Sequence, residues 1–204
     1  MLISFGAIGE WPLAVGLSDG MTLKDGSLGP PLQPARLLEI LNRHGVDFVV
    51  VGGLAGLAHG SSYPTFDLDV AYARSEANLH CMVKALEEMD VTLRGAPPEL
   101  SFQLDARTLA NGANFTFDSA FGRFDILGDI DGMRDYESLR SRACVEKIDG
   151  VAVRVASIDH LIAMKRTANR PKDRLAVEEY IVIADEQQRL AQEEAGDGDA
   201  GSGG

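Results

Sequence analysis

"VVVGGLAGLAHGSSYPTFDLDVAYA", residues 49–73, decides the fold. The valines continue Val46-Asp47-Phe48 as a short β-branched run, the composition of a central strand. Gly52 and Gly53 close that run, "LAGLAHG" reads as a short helix or helical turn, and "SSYPT" as a loop. "FDLDVAYA" then alternates, so it reads as a second strand with Phe66, Leu68 and Val70 on one side and Asp67 and Asp69 on the other. Two carboxylates that close are costly unless they are protonated, solvated or neutralised by a cation. An edge strand with two solvated aspartates explains the alternation plainly. A hard divalent cation explains it as well, and Mg²⁺ is usually held by one or two carboxylates together with substrate phosphates. The glycines favour the second reading, because they let backbone N–H groups at the strand exit approach an anion. A dinucleotide turn fits poorly: Gly52-Gly53-x-x-Gly56 is not GxGxxG, and two acids stand where one ribose contact is needed.

Working outward, Pro34 opens a helix over "PARLLEILNRHG", with Leu37, Leu38 and Leu41 on one face and Gly45 as its C-cap. Residues 1–33 are rich in glycine and proline without a period and read as a flexible arm, with Met21 an alternative initiator. Downstream, "SEANLHCMVKALEEM" is an amphipathic helix capped by Ser75, and residues 91–114 show only one weak strand and a "GAPPE" loop. "NFTFDS" and "GRFDILGD" form a hairpin around Ala120 whose second strand places Asp125 between apolar neighbours. A helix near "MRDYESLRSR" precedes two strands, Cys144 to Ile148 and Val151 to Val155, joined at Asp149-Gly150. Ser157 caps "IDHLIAMKRTANR", and Pro171 opens a last, longer helix.

The chain has 204 residues, 45% of them apolar and 25% charged, with a formal charge of −12. That length supports one full core with a small lobe. No apolar run reaches the roughly 20 residues that span a bilayer. Cys81 and Cys144 have no metal-type spacing and read as free buried thiols of a cytoplasmic protein. The acidic balance opposes broad nucleic-acid binding. One basic cluster, "KRTANRPKDR" over residues 165–174, is still able to take an anion, while the tail from Asp185 to Asp199 is acidic.

The Gly-Gly strand exit, a spacer of about a dozen residues and Asp-x-Asp between apolar residues resemble the nucleotidyltransferase superfamily with the DNA-polymerase-β-like fold. A second stretch, "IDHLIAMKRTANRPKDRLAVEEY", resembles the closing motifs of AbiEii/MenT-type toxins of bacterial toxin–antitoxin systems, a helical lysine followed by an Arg-x-Lys-Asp element. The order of elements gives an α+β fold, a small mixed sheet with helices (34–155) followed by a C-terminal helical lobe (156–192), and composition makes 193–204 a disordered tail. The resemblance, which spans about residues 35–182, implies that the first unit is a polymerase-β-like nucleotidyltransferase core. It implies Asp67 and Asp69 as catalytic metal ligands, with Asp125 as a third. Gly52 and Gly53 would be the phosphate turn, and Lys165 a catalytic contact to the nucleotide phosphates. Asp173 would be a catalytic-site acid beside Arg170 and Lys172, both nucleotide-binding. Gly53 departs from many relatives, which carry serine there.

The activity implied by the resemblance is Mg²⁺-dependent transfer of a nucleoside monophosphate from an NTP, with Mn²⁺ as the substitute ion. The implied acceptor is the 3′ end of tRNA, which would block translation. A small-molecule hydroxyl of aminoglycoside type, a protein hydroxyl, and a catalytically silent binding partner are the alternatives. The implied partner is an antitoxin, a kinase-like protein phosphorylating the active-site loop at Thr65, near Ser61 and Ser62; a phosphate there adds about −1.5 to −2 charges. No membrane is involved, and the oligomeric state is not legible. Without the resemblance, Lys165 reads as a solvated helix residue, Asp173 as a first-turn charge favoured by the helix dipole, and Asp125 as a hydrogen-bonded strand acid. His59 and His160 read as residues that cap or fill.

Overall fold

The computed structural model describes residues 30–97, 102–130 and 135–197. Among them, seven strands form one mixed sheet in the order β3-β4-β5-β2-β1-β7-β6. The chain runs α1 (Pro34–Arg43), β1 (Phe48–Val51), α2 (Gly52–Ala58), β2 (Asp67–Tyr72), α3 (Glu76–Glu88) and β3 (Thr92–Leu93). It continues as α4 (Ala106–Asn111), β4 (Asn114–Ser119), β5 (Gly122–Leu127), α5 (Tyr136–Ser141), β6 (Cys144–Ile148), β7 (Val151–Val155), α6 (Ile158–Ala168) and α7 (Pro171–Asp197). This is the α+β core of small mixed sheet and helices that the sequence leads one to expect.

Local chemistry sets the boundaries. At the end of α1 the N–H of Gly45 bonds Asn42 O and that of Val46 bonds Leu41 O, both at 3.0 Å. This is a Schellman ending, and Gly45 takes its left-handed residue at φ +67°. Ser75, Asp105, Asp135 and Ser157 each accept the N–H three residues on, starting α3, α4, α5 and α6. The β6–β7 hairpin closes on Asp149 and Gly150, both at positive φ as a type I′ turn requires.

Register positions the site. β2 lies between β1, antiparallel with Val51 opposite Asp69, and β5, parallel with Asp69 opposite Asp125. Because side chains alternate, Leu68, Val70, Phe124 and Ile126 are buried together, and Asp67, Asp69 and Asp125 share the other face. α6 and α7 contribute Leu161, Ile162, Ala176, Tyr180 and Ala184 to the same core cluster that β1 and β2 build.

Four readings differ from the structure. Phe66 precedes β2 and stays 49% exposed instead of packing beside Leu68. Residues 91–114 hold α4 as well as the short β3. The last helix continues to Asp197, past residue 193 where a tail was expected, because "QQRLAQEE" is a good helix former throughout. Cys81 and Cys144 are free thiols but only half-buried. Met21 and most of the 1–33 arm lie outside the described residues, as do residues 198–204. Among the described residues no helix is long and apolar enough to cross a membrane.

Candidate metal and nucleotide site

One oxygen from each of Asp67, Asp69 and Asp125 can be chosen so that all three lie within 4.8 Å of one another. The strand register produces this: β2 supplies two carboxylates two residues apart, and its parallel neighbour β5 supplies the third directly opposite Asp69. Burial, then the charges of Asp67 and Asp125, push the Asp69 carboxyl up to about 7, against the pull of Lys165 and Arg170. Burial also raises Asp125 to about 6 although Arg94 donates to it, with Asp67 adding to the rise. Three carboxylates concentrated at such cost, all offering oxygen, are the donor set of a hard divalent ion, so Mg²⁺ or Mn²⁺ fits the residues present.

Gly52 and Gly53 stand directly over the cluster. Gly52 has φ +66°, and a side-chain carbon there would run into the Asp69 carboxylate. A side-chain carbon on Gly53 would run into the Thr65 hydroxyl. The two glycines thus let the turn after β1 close onto β2. Thr65 donates to Asp67 Oδ1 at 3.0 Å and is half-buried.

The cleft over the carboxylates has a volume of about 750 Å³. It is lined by Asp67, Asp69 and Asp125 from the sheet, by Leu161 and Lys165 of α6, by Arg170 of the connection to α7, and by Tyr180 of α7. Lys165 Nζ donates to Asp173 Oδ1 at 2.9 Å, and Arg170 donates to Asp173 Oδ2 through Nε at 2.7 Å and its own N–H at 3.2 Å. Asp173 is fully buried and does not line the cleft. Burial works against its ionisation, but the bonds from Arg170 and Lys165 outweigh it and hold the carboxyl below its ordinary range. Asp173 therefore sets the two cations in place from behind. The side chain of Lys172 lies outside the described residues.

Several participants were not legible. Arg94 clamps Asp125, and Arg123 lines the cleft beside it. Glu179 on α7 accepts from the Ser61 hydroxyl and from Ser62 N–H and Oγ at 2.8 and 2.7 Å, which pins the loop carrying Tyr63 and Thr65. A serine pair facing a helical glutamate 117 residues away leaves no local signal. Tyr180 is buried against bare Gly56, its hydroxyl pushed up to about 12 by burial and by Glu179, Asp173 and Asp69. His59 and His160 stay out of the cleft, His59 bonding Ala156 O at 2.7 Å.

No protein-family profile and no curated protein matches the sequence. Among solved structures, the chain is similar to the lincosamide antibiotic adenylyltransferase LnuA in its lincomycin-bound crystal structure. The TM-score is 0.53 at 10% identity, covering 75% of this chain and 99% of that one. The antibiotic-resistance factor ANT(2″)-Ia, in a solution structure, gives a TM-score of 0.43 at 16% identity, covering 79% of this chain and 92% of that one. The likeness to LnuA shows that the chain has the fold of a nucleotidyltransferase.

Proposed function

We propose that this protein transfers a nucleoside monophosphate from an NTP to an acceptor hydroxyl. The observation that carries the reading is the carboxylate triad, Asp67, Asp69 and Asp125, facing Lys165 and Arg170 across one cleft. The acceptor oxygen forms a bond to the α-phosphorus, the bond from that phosphorus to its β-bridging oxygen breaks, pyrophosphate leaves, and the acceptor proton passes to solvent. Asp67, Asp69 and Asp125 would hold divalent metal, which when bound would neutralise charge on the phosphates and activate the acceptor oxygen. Lys165 and Arg170, fixed by Asp173, bind the triphosphate. Gly52 and Gly53 keep side chains away from it. Such fixed cations stabilise developing charge at little cost in reorganisation.

The acceptor that fits best is a small hydroxyl compound, neutral or cationic. Four carboxylates, Asp67, Asp69, Asp125 and Asp129, line the cleft against three cationic side chains, Arg123, Lys165 and Arg170. Metal and triphosphate largely cancel one another, so the remaining surface does not attract a polyanion. The basic run of residues 165–174 supports an RNA acceptor less well, because two of its members, Lys165 and Arg170, bond Asp173 and face the nucleotide cleft.

The test is incubation with Mg²⁺, each α-labelled NTP in turn, and either total tRNA or a panel of amino-sugar and lincosamide-type alcohols. Label on a small acceptor with wild type and none with Asp67→Ala supports the reading. Label on tRNA keeps the chemistry and replaces the acceptor with the tRNA 3′ end. In that case a toxin role, with an antitoxin kinase acting on Thr65, becomes the reading to pursue.

A further inference from the structure

Thr65 sits at the seam between the glycine turn and β2, and three independent features fix its hydroxyl. The space it occupies is the one a side chain on Gly53 would fill. Its acceptors are Asp67 Oδ1 at 3.0 Å and the Asp67 carbonyl at 3.3 Å. The loop behind it is held by Glu179 through Ser61 and Ser62, and Pro64 restricts the backbone one residue before it. Of its two acceptors, the carboxylate oxygen is the nearer and the charged one, so the hydroxyl donates to Asp67 Oδ1.

A carboxylate rotates readily about its terminal torsion, so an unheld Asp67 samples orientations that cannot ligate. Donation to Oδ1 removes that freedom and leaves Oδ2 for a cation. We infer that Thr65 is a positioning residue for Asp67: its hydroxyl pre-orients the carboxylate and so sets the affinity of the cluster for a divalent ion. The inference rests on the reading of Asp67 as a metal ligand. It gives bare Gly53 a physical reason beyond phosphate access, since a serine at position 53 takes the space of the Thr65 hydroxyl. Outer partners of this kind typically change metal affinity by about 10–100-fold when removed.

The experiment is Mn²⁺ binding to the full chain without nucleotide, read from the electron-paramagnetic-resonance signal of free Mn²⁺, with apoprotein melts in parallel. Thr65→Val keeps the shape and loses the donor, Thr65→Ser keeps the donor, and Asp67→Asn removes the ligand. The expected result is Mn²⁺ affinity weakened about tenfold or more in Thr65→Val, within about threefold of wild type in Thr65→Ser, and an apo melt little changed in either. Thr65→Ala is read the same way where the valine variant does not fold. Wild-type affinity in the Val or Ala variant overturns the inference, and so does a serine variant as weak as the valine one. Absence of Mn²⁺ binding by wild type overturns the metal reading itself and the inference with it. Binding lost in Asp67→Asn and unchanged in Thr65→Val overturns the inference alone.

Discussion

Asp69 is held at about 7, chiefly by burial and then by Asp67 and Asp125, so the native chain keeps a proton that the unfolded chain releases near 3.8. A raised acid stabilises fully below the unfolded value and loses that contribution as pH climbs to the folded value, at most on the order of 4 kcal/mol in all. Apoprotein melts should therefore fall from pH 4 to pH 7. Asp69→Asn should flatten that descent and melt higher than wild type at pH 8, while Mg²⁺ should raise the wild-type melt more at pH 8 than at pH 5. Identical pH profiles for wild type and Asp69→Asn contradict this. Asp173 is the opposite case. Its carboxyl is held low by Arg170 and Lys165 despite burial, so its contribution is present above the unfolded value and is lost on acidification. Asp173→Ala should cost about 3 kcal/mol in urea titrations by leaving Lys165 unpaired, and it should weaken NTP binding as well. An NTP affinity equal to wild type would show that Asp173 positions nothing. Asp67 and Asp69 were legible because alternation along one strand aligns them. Asp125 came only with the family resemblance, because the parallel pairing of β5 with β2 that brings it opposite Asp69 leaves no local signal. Asp173 was legible as an acid and not as a hub, because a first-turn helix charge looks the same in sequence whether it faces water or accepts from a lysine and an arginine.

At the scale of elements, the turn from β1 into α2 and the loop from α2 into β2 bring the site together. Gly52 adopts φ +66° with the Asp69 carboxylate against its bare α-carbon. Gly52→Ala should cost about 1–2 kcal/mol for the left-handed backbone alone, with the collision against Asp69 added. It should also abolish Mn²⁺ binding, and native melting with native affinity would contradict the role given to the turn. Glu179→Ala should release residues 61–66, read as faster hydrogen exchange and proteolysis confined to that loop, with about 1 kcal/mol lost globally. Unchanged exchange in the loop would mean that the Ser61 and Ser62 bonds do not pin it. Both strands of the central motif, the β4–β5 hairpin and the β6–β7 turn were readable because alternation and turn residues are local. α4 was not, since "ARTLAN" carries a single buried residue, Leu109, and its one signal is the Asp105 cap. β3, two residues long, read only as a weak strand within 91–114, because its pairing with β4 rather than a local pattern defines it.

At the scale of the molecule, α6 and α7 complete the core as well as the cleft. Ala176, Tyr180 and Ala184 of α7 belong to the same buried cluster as β1 and β2, and Tyr180 fills the space above Gly56. Deleting residues 171–204 should therefore yield a chain that does not melt cooperatively. A truncated protein with a sharp melt would instead support an autonomous core ending near residue 155. The acidic total of −12 and the cleft's excess of carboxylates act in one direction, toward an acceptor that is not a polyanion. The central claim is a metal-dependent transfer at Asp67, Asp69 and Asp125. Its most direct measurement is release of pyrophosphate, with label moving to an acceptor, from each α-labelled NTP in the presence of Mg²⁺, for wild type and Asp67→Ala side by side. Transfer by wild type that stops on adding a chelator and is absent in the variant is the expected result. Transfer that persists in Asp67→Ala, or that ignores the chelator, contradicts the claim.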